Sequence, residues 1–277
     1  MYNRELSIDK LSSAGQMNKT LEREIKMAQN IQMKLLNGPK PKVDNGEVSG
    51  VSIPARLIGG DYFDFYLLPN GRLRIVIGDV MGKGIPAAML MILTRGAFRS
   101  ASESTKGPGE TLTAMNKALY SDLRTLGSFV TVLCAEWDMK TNTFTYASAG
   151  HNPPLIIHSE KELKEVPNVN GVMLGGLKDT VYTENTVGVE DNDLVFLYTD
   201  GITETKNNDG EMYRIERLEE ALLKNFSLEV KEIEQTVVNS IEKFIEGAPQ
   251  RDDITMVLLK LNKGKADLTS YNSPVLN

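Results

Sequence analysis

At four places in this 277-residue chain an apolar run is bordered by Asp, in the first three beside Gly: Gly59-Gly60-Asp61, Gly78-Asp79-Val80-Met81-Gly82-Lys83-Gly84, Thr199-Asp200-Gly201 and Arg251-Asp252-Asp253-Ile254-Thr255. Asp64 adds a fifth acid just after the first motif. Any one Asp-Gly pair is an ordinary turn. Their recurrence at run after run points instead to carboxylates converging on a hard cation, since Mg²⁺ and Mn²⁺ take carboxylate and water shells. Two such ions about 3.5–4 Å apart can bridge a hydroxide and clamp a phosphoryl group for in-line attack. No thiol, Ser/His/Asp constellation or P-loop competes, because Gly82-Lys83-Gly84 lacks the spacing of a nucleotide-binding loop.

The elements that must position these acids follow from periodicity. Leu21, Ile25, Ala28, Gln32 and Leu35 are spaced by 4, 3, 4 and 3, which predicts a helix from about Thr20 to Leu36. This helix either packs on its own domain or forms a dimer or signalling helix in which Gln32 sets the register. Asn37-Gly38-Pro39-Lys40-Pro41 ends it. Leu73–Ile77, Phe129–Trp137, Phe144–Ala147, Pro154–His158, Val181–Val187, Asp193–Tyr198 and Ile254–Leu261 read as strands. Ile85–Ser100, Glu110–Thr125, Ile215–Lys224 and Val230–Ile245 read as helices, the first with Pro86 in its opening turn. Consecutive hairpins favour antiparallel sheets, so the expected fold is α+β, a sandwich of packed sheets with helices outside. If the last strand runs antiparallel to the one ending at Tyr198, the Asp200 and Asp252/Asp253 lips share one sheet edge. Three segments are expected: an N-terminal segment and linker helix (1–37), a main domain (38–262) and a polar tail (263–277).

Composition narrows the function class. With 31 basic and 37 acidic residues the net charge is −6, which argues against a nucleic-acid partner. The lone Cys134 lies inside an apolar run and is expected to be a buried free thiol, which suits a reducing compartment. The N-terminus has no signal-peptide pattern. The longest apolar stretch, Ile85 to Thr94, is about half the roughly 20 residues that span a bilayer. A cytoplasmic protein with no membrane association is the expectation.

Five motifs in order, Gly-Gly-Asp-Tyr-Phe-Asp (59–64), Gly-Asp-Val-Met-Gly-Lys-Gly (78–84), Ser-Ala-Gly-His-Asn-Pro-Pro (148–154), Thr-Asp-Gly-Ile-Thr-Glu (199–204) and Asp-Asp-Ile-Thr (252–255), resemble the bacterial PP2C-type (PPM) serine/threonine phosphatases of the SpoIIE/RsbU group. The resemblance spans roughly Ala28 to Leu261. It implies a PP2C-like α-β-β-α sandwich with two Mn²⁺ or Mg²⁺ ions and a metal-bridging hydroxide as nucleophile. Asp79 resembles the bridging ligand, with the Val80 carbonyl beside it; Asp200 and Asp252 resemble ligands of the second half-site, and Asp61 the acid of the first motif. Asp253 ranks below Asp252. The implied substrate is phosphoserine or phosphothreonine in a STAS-domain anti-sigma-factor antagonist. An upstream activator protein acting on the N-terminal helix and a homodimer are further implied possibilities.

The chain departs from the group where Leu35-Leu36 leads to Asn37-Gly38-Pro39 and where Tyr213-Arg214 precedes Ile215-Glu216-Arg217-Leu218. No counterpart of the eukaryotic phosphate-binding Arg is evident, so metals and waters are expected to hold the phosphate. A short N-terminal segment, rather than a full sensor domain, is the expectation. His151 is a candidate general acid or a loop-stabilising residue; His158 is expected to be structural and Lys83 a solvated charge. Met89–Met91 read as core, on a helix near the metal edge that is a candidate switch element. Rival functions are a catalytically silent relative that binds a partner, and a hydrolase of small phosphate esters.

Overall fold

The computed structural model describes residues 2–36, 38, 40–43 and 45–262, with side chains from Asn18 onward. The expected tail 263–277, and Asn37 and Pro39 of the helix stop, lie outside the described residues. Two five-stranded antiparallel sheets form the centre. One has the order β1 (Gly46–Ile53), β10 (Ile254–Leu261), β9 (Leu194–Tyr198), β6 (Leu155–Ile157) and β7 (Leu163–Lys164). The other runs β2 (Tyr62–Leu67), β3 (Leu73–Val80), β4 (Val130–Asp138), β5 (Thr143–Ala149) and β8 (Asn185–Gly188).

Alternation decides how these sheets stack. Leu73, Ile75 and Ile77 of β3 meet Val257, Leu259 and Leu261 of β10 between the sheets, around the fully buried Trp137. Val76 and Val80 face the other way, onto α2 (Ile85–Ser102) and α3 (Pro108–Thr125), in a cluster that includes Met91, Phe98, Leu112 and Met115. Met256 and Leu258 likewise face α5 (Arg214–Asn225) and α6 (Val230–Ile245). Each of these strands is buried on both faces, which is why their sequences are mostly apolar, with Arg74 in β3 and Thr255 and Lys260 in β10 as buried polar exceptions. Cys134 is buried as expected, and burial pushes its thiol up to about 12, so it is inert.

Several boundaries move for physical reasons. β3 continues through Gly78 and Asp79 to Val80, paired to β4 as far as Val130, so Asp79 lies on the strand rather than past its end. α3 starts at Pro108, because Glu184 Oε2 accepts the Gly109 N–H at 2.9 Å and caps the first turn. That service removes Val181–Glu184 from any ladder, and only Asn185–Gly188 of the expected strand pairs. α4 (Asp200–Thr203) is a single unexpected turn. α1 runs from Tyr2 to Leu36, far beyond the expected start at Thr20. Along its described side chains Leu21, Met27 and Ile31 are exposed, whereas Gln32 and Leu36 are buried. Met89 is also exposed, and of the expected core Met pair only Met91 is buried.

A buried ion pair fixes β3 and β4 to the α2–α3 connection. Arg74, with no exposed surface, reaches Glu136 at 2.7 Å and the Thr105 hydroxyl at 2.8 Å. Arg72 pairs with Glu136 and Asp138 from a side chain that is 41% exposed. Arg74→Ala is expected to cost about 3–5 kcal/mol by urea unfolding, because it leaves Glu136 under-compensated in the interior. Arg72→Ala should cost less than about 1 kcal/mol; equal losses would contradict this division.

Candidate metal centre

The acids come together because the ends of β3, β9 and β10 share one edge. β9 and β10 are antiparallel, so Asp200, one residue beyond Thr199, and Asp252, ahead of Ile254, lie at the same lip. The Thr199 N–H donates to the Thr255 carbonyl at 3.0 Å, closing that lip. In the other sheet Tyr62 is opposite Gly78, and the next step outward sets Asp61 beside Asp79. The two sheets meet here: the Thr199 hydroxyl donates to Asp61 Oδ2 at 2.8 Å.

Electrostatics confirm the crowding. Asp79 is pushed up to about 7, first by burial and then by the Asp200, Asp252 and Asp253 charges, against the pull of its hydrogen bond with Asp61. Asp61 is raised well above the carboxylate range by burial and by Asp79 and Asp253, while Thr255 and Thr199 partly offset the rise. Asp200 is raised by burial, Glu204 and Asp252. Two carboxyl groups in hydrogen-bond contact must share a proton unless a cation replaces it.

Among the described residues no three His, Cys, Asp or Glu side chains form a ready-made cage. The donor set still fits a small hard cation, which binds through one or two carboxylates and keeps several waters. The backbone adds an opening. A Cβ on Gly60 would come within 3.0 Å of the Val80 carbonyl oxygen, so glycine there keeps that oxygen uncovered beside Asp61 and Asp79. Asp61, Asp79, Asp200 and Asp252, with Val80 O, can therefore hold divalent ions.

Other candidates separate from this set. Asp253 is buried, and its carboxylate accepts the N–H groups of Ala55 and Gly60 at 2.7 Å each. It holds backbone rather than pointing free. Gly59 and Gly201 leave it room: a Cβ on Gly59 would lie 2.5 Å from Asp253 Oδ2, and one on Gly201 1.8 Å from the Asp253 carbonyl. Asp64 does not join the lip. An odd offset from Asp61 turns it toward α2, where Arg99 grips both oxygens at 2.7 and 2.8 Å and Arg95 approaches to 3.1 Å. His151 is a strut. Its Nδ1 meets the Thr131 hydroxyl at 3.0 Å, opposite Asp79, and its ring reaches toward the Tyr198 backbone, although Nε2 makes no well-formed hydrogen bond. Burial lowers it to about 4, so it is neutral and poorly suited as a general acid. His158 pairs with buried Asp193 at the far end of β9.

Two cations were missed in the sequence. Lys83 is no free charge, because it pairs with Asp252 Oδ2 at 2.7 Å and donates to the Arg251 carbonyl. Arg56, exposed in the loop after β1, lies over Gly84, its Nη1 3.5 Å from where a Cβ there would be. Arg56 makes no ion pair among the described residues. Its only sequence signal was a basic residue five positions before Asp61. Beside the lip, Met81, Pro86, Met89, Leu90, Leu93 and Leu126 line a cleft of about 760 Å³.

Two antiparallel sheets flanked by helices, with an acidic edge, are the architecture of PP2C-type phosphatases. The SiaA-PP2C domain of Pseudomonas aeruginosa superposes with a TM-score of 0.74 at 20% identity, over 89% of this chain and 99% of that one. RsbX, solved in complex with magnesium, gives a TM-score of 0.60 at 16% identity, over 80% and 98%. Residues 69–262 match the model of the family described as Stage II sporulation protein E (SpoIIE), and the chain belongs to that family. Phosphoserine phosphatase RsbU of Bacillus subtilis is 28% identical over 240 residues, which is 87% of this chain and 70% of RsbU. Protein IcfG of Synechocystis is 29% identical over 86% of this chain, but the chain spans 42% of that longer relative.

Because Asp79 holds its proton up to about 7, a divalent ion must displace it. Mn²⁺ affinity should therefore rise as pH climbs from 6 toward 7.5 and then level, with protons released on binding at pH 6. Calorimetric titration in buffers of different ionisation enthalpy measures that release; binding at pH 6 with no proton exchange would contradict the assignment.

Proposed function

We propose that this chain is a metal-dependent protein serine/threonine phosphatase that hydrolyses phosphoserine or phosphothreonine at the edge shared by β3, β9 and β10. The observation that carries the reading is the convergence of Asp61, Asp79, Asp200 and Asp252 from four separate motifs on that edge. When bound, two Mn²⁺ or Mg²⁺ ions supply an activated water and neutralise charge on the phosphoryl group. Asp61, Asp79, Asp200 and Asp252, with the Val80 carbonyl, would hold those ions, Asp79 lying between the Asp61 side of the edge and the Asp200/Asp252 side. Lys83 must release Asp252 for that side to form. Arg56, unpaired over Gly84, orients the phosphate oxygens by charge-assisted hydrogen bonds. Gly82 and Gly84 keep the approach clear. His151, half-buried and neutral, braces Thr131 opposite Asp79, and solvent returns the leaving-group proton.

The domain division 1–37, 38–262 and 263–277 belongs to this reading, with α1 as a linker. The proposed substrate is a phosphorylated STAS-domain anti-sigma-factor antagonist in a partner-switching pathway, which the five motifs and the likeness to RsbU support. The cytoplasm is its proposed location. Among the described residues no helix is long and apolar enough to cross a membrane. An activator protein or a homodimer acting through α1 would place control on the helix whose Leu21, Met27 and Ile31 are exposed.

Activity on a phosphoprotein with and without Mn²⁺ tests the reading. Asp79→Asn should remove at least about a hundredfold of the Mn²⁺-dependent rate, and Arg56→Ala should raise KM roughly tenfold with a smaller change in kcat. Metal binding without turnover of any phosphoester would favour a silent partner-binding module. Preference for a small ester over a phosphoprotein would favour a small-molecule hydrolase. Deleting residues 1–36 should lower kcat/KM, and unchanged activity would exclude a role for α1.

A further inference from the structure

The loop that carries Asp61 is held by two buried side chains from opposite ends of the chain. Asp253 takes the N–H groups of Ala55 and Gly60. The second is Gln32 of α1. Its Nε2 donates to the Gly59 carbonyl at 2.7 Å, and its Oε1 accepts the Gly59 N–H at 3.1 Å. One primary amide thus satisfies both backbone groups of one residue, as a neighbouring strand would. The contact is closed to solvent: Gln32 is 5% exposed and Gly59 is buried. No side chain at position 59 could substitute for it, because a Cβ there would strike Asp253.

The two clamps differ in what stands behind them. Asp253 borders β10, the strand paired on both sides in its sheet. Gln32 is fixed only as firmly as α1 is seated. Near its end that helix buries Leu36 against the cluster containing Tyr62, Ala87 and Met91, while one turn and more upstream Met27 and Ile31 are exposed. If α1 lifts, the Gly59 N–H and carbonyl are left buried without partners, which is costly enough to shift the loop or admit water. Asp61 is two residues away.

We infer that Gln32 is a positioning residue for the metal site: its amide clamp on Gly59 makes the placement of Asp61, and hence divalent-ion affinity, depend on how α1 is seated. This rests on the phosphatase reading above and adds the route by which the N-terminal helix reaches the metal. Gln32 touches neither metal nor substrate and acts through Gly59.

The test uses the full chain and Mn²⁺ alone as the probe. Gln32→Met keeps the volume and removes the amide; Gln32→Glu keeps the acceptor for the Gly59 N–H and loses the donor. Leu36→Ala weakens the same helix's packing without touching Gly59. Gln32→Met should bind Mn²⁺ about 10–100-fold more weakly, the range for groups that orient metal ligands. Gln32→Glu should fall between it and wild type, and both should regain most of kcat at saturating Mn²⁺. Leu36→Ala, by loosening the seat of α1, should weaken Mn²⁺ binding in the same direction. Coincident Mn²⁺ titrations for wild type and Gln32→Met would overturn the inference, as would a Leu36→Ala protein whose melting temperature falls while its Mn²⁺ midpoint stays at the wild-type value. Absence of Mn²⁺ binding by the wild type would overturn both this and the phosphatase reading, whereas an active wild type with indifferent Gln32 variants sinks the clamp alone.

Discussion

Four carboxylates cannot share one sheet edge unless the backbone beneath them is held by something other than the acids themselves. Burial first, and then repulsion from neighbouring carboxylates, raises Asp61, Asp79 and Asp200 together, and a loose backbone would relieve the repulsion by moving apart. Asp253 prevents this. It is an acid of the same motif as Asp252, but its charge is spent on the N–H groups of Ala55 and Gly60, bonds strengthened because the acceptor is ionised. Those bonds join the start of β10 to the loop before β2, and so tie one sheet to the other at the lip. The glycines at 59 and 201 exist for this joint, since either side chain would collide with Asp253.

Much of this was legible because burial writes itself into sequence. β3, β4, β9 and β10 are buried on both faces, so their sequences are mostly apolar, and α6 was expected over the same span, Val230–Ile245, that it occupies. β1 and β2 were harder to delimit: Gly46, Ser49, Gly50 and Ser52 dilute the first, and Asp64 interrupts the second. The early turns of α1 gave no period because helix can continue through polar residues without an apolar stripe. Asp61, Asp79, Asp200 and Asp252 stand out in the sequence because an acid at the end of a buried run is conspicuous. Asp64 was wrongly grouped with them, as proximity in sequence says nothing of which strand face a side chain takes. Lys83 and Arg56 could not be read correctly. Their neighbours, Asp252 and Gly84, are set by loops that meet only in the folded chain.

The edge also divides structural security unevenly. Strands paired on both sides open only with global unfolding, whereas a helix with one or two buried contacts opens far more readily. Asp79, Asp200 and Asp252 sit on or beside β3, β9 and β10. Asp61 sits on a loop with one clamp from β10 and one from α1. A fold built only for constant activity would gain by anchoring that loop wholly in the sheets. Placing half of its support on a helix with exposed Leu21, Met27 and Ile31 makes the first half-site the softest part of the centre, and therefore the part most open to outside influence.

Charge sets the order of events at such an edge. A phosphate ester carries negative charge, and so do the four acids, in a chain of net charge −6. Lys83 does not offset this for the substrate, because its charge is consumed by Asp252 at 2.7 Å, and Arg56 alone cannot outweigh the cluster. Phosphate approach therefore requires prior neutralisation by divalent ions. If Asp79 and Asp252 hold those ions as proposed, the ions compete with Lys83 for Asp252 and with a proton for Asp79. Both competitors weaken the site toward ions present at low concentration, so occupancy depends on how well the carboxylates are held in register. Backbone order at Gly59–Asp61 thus enters the energetics twice, once by presenting Asp61 and once by letting the metal, rather than the substrate, arrive first.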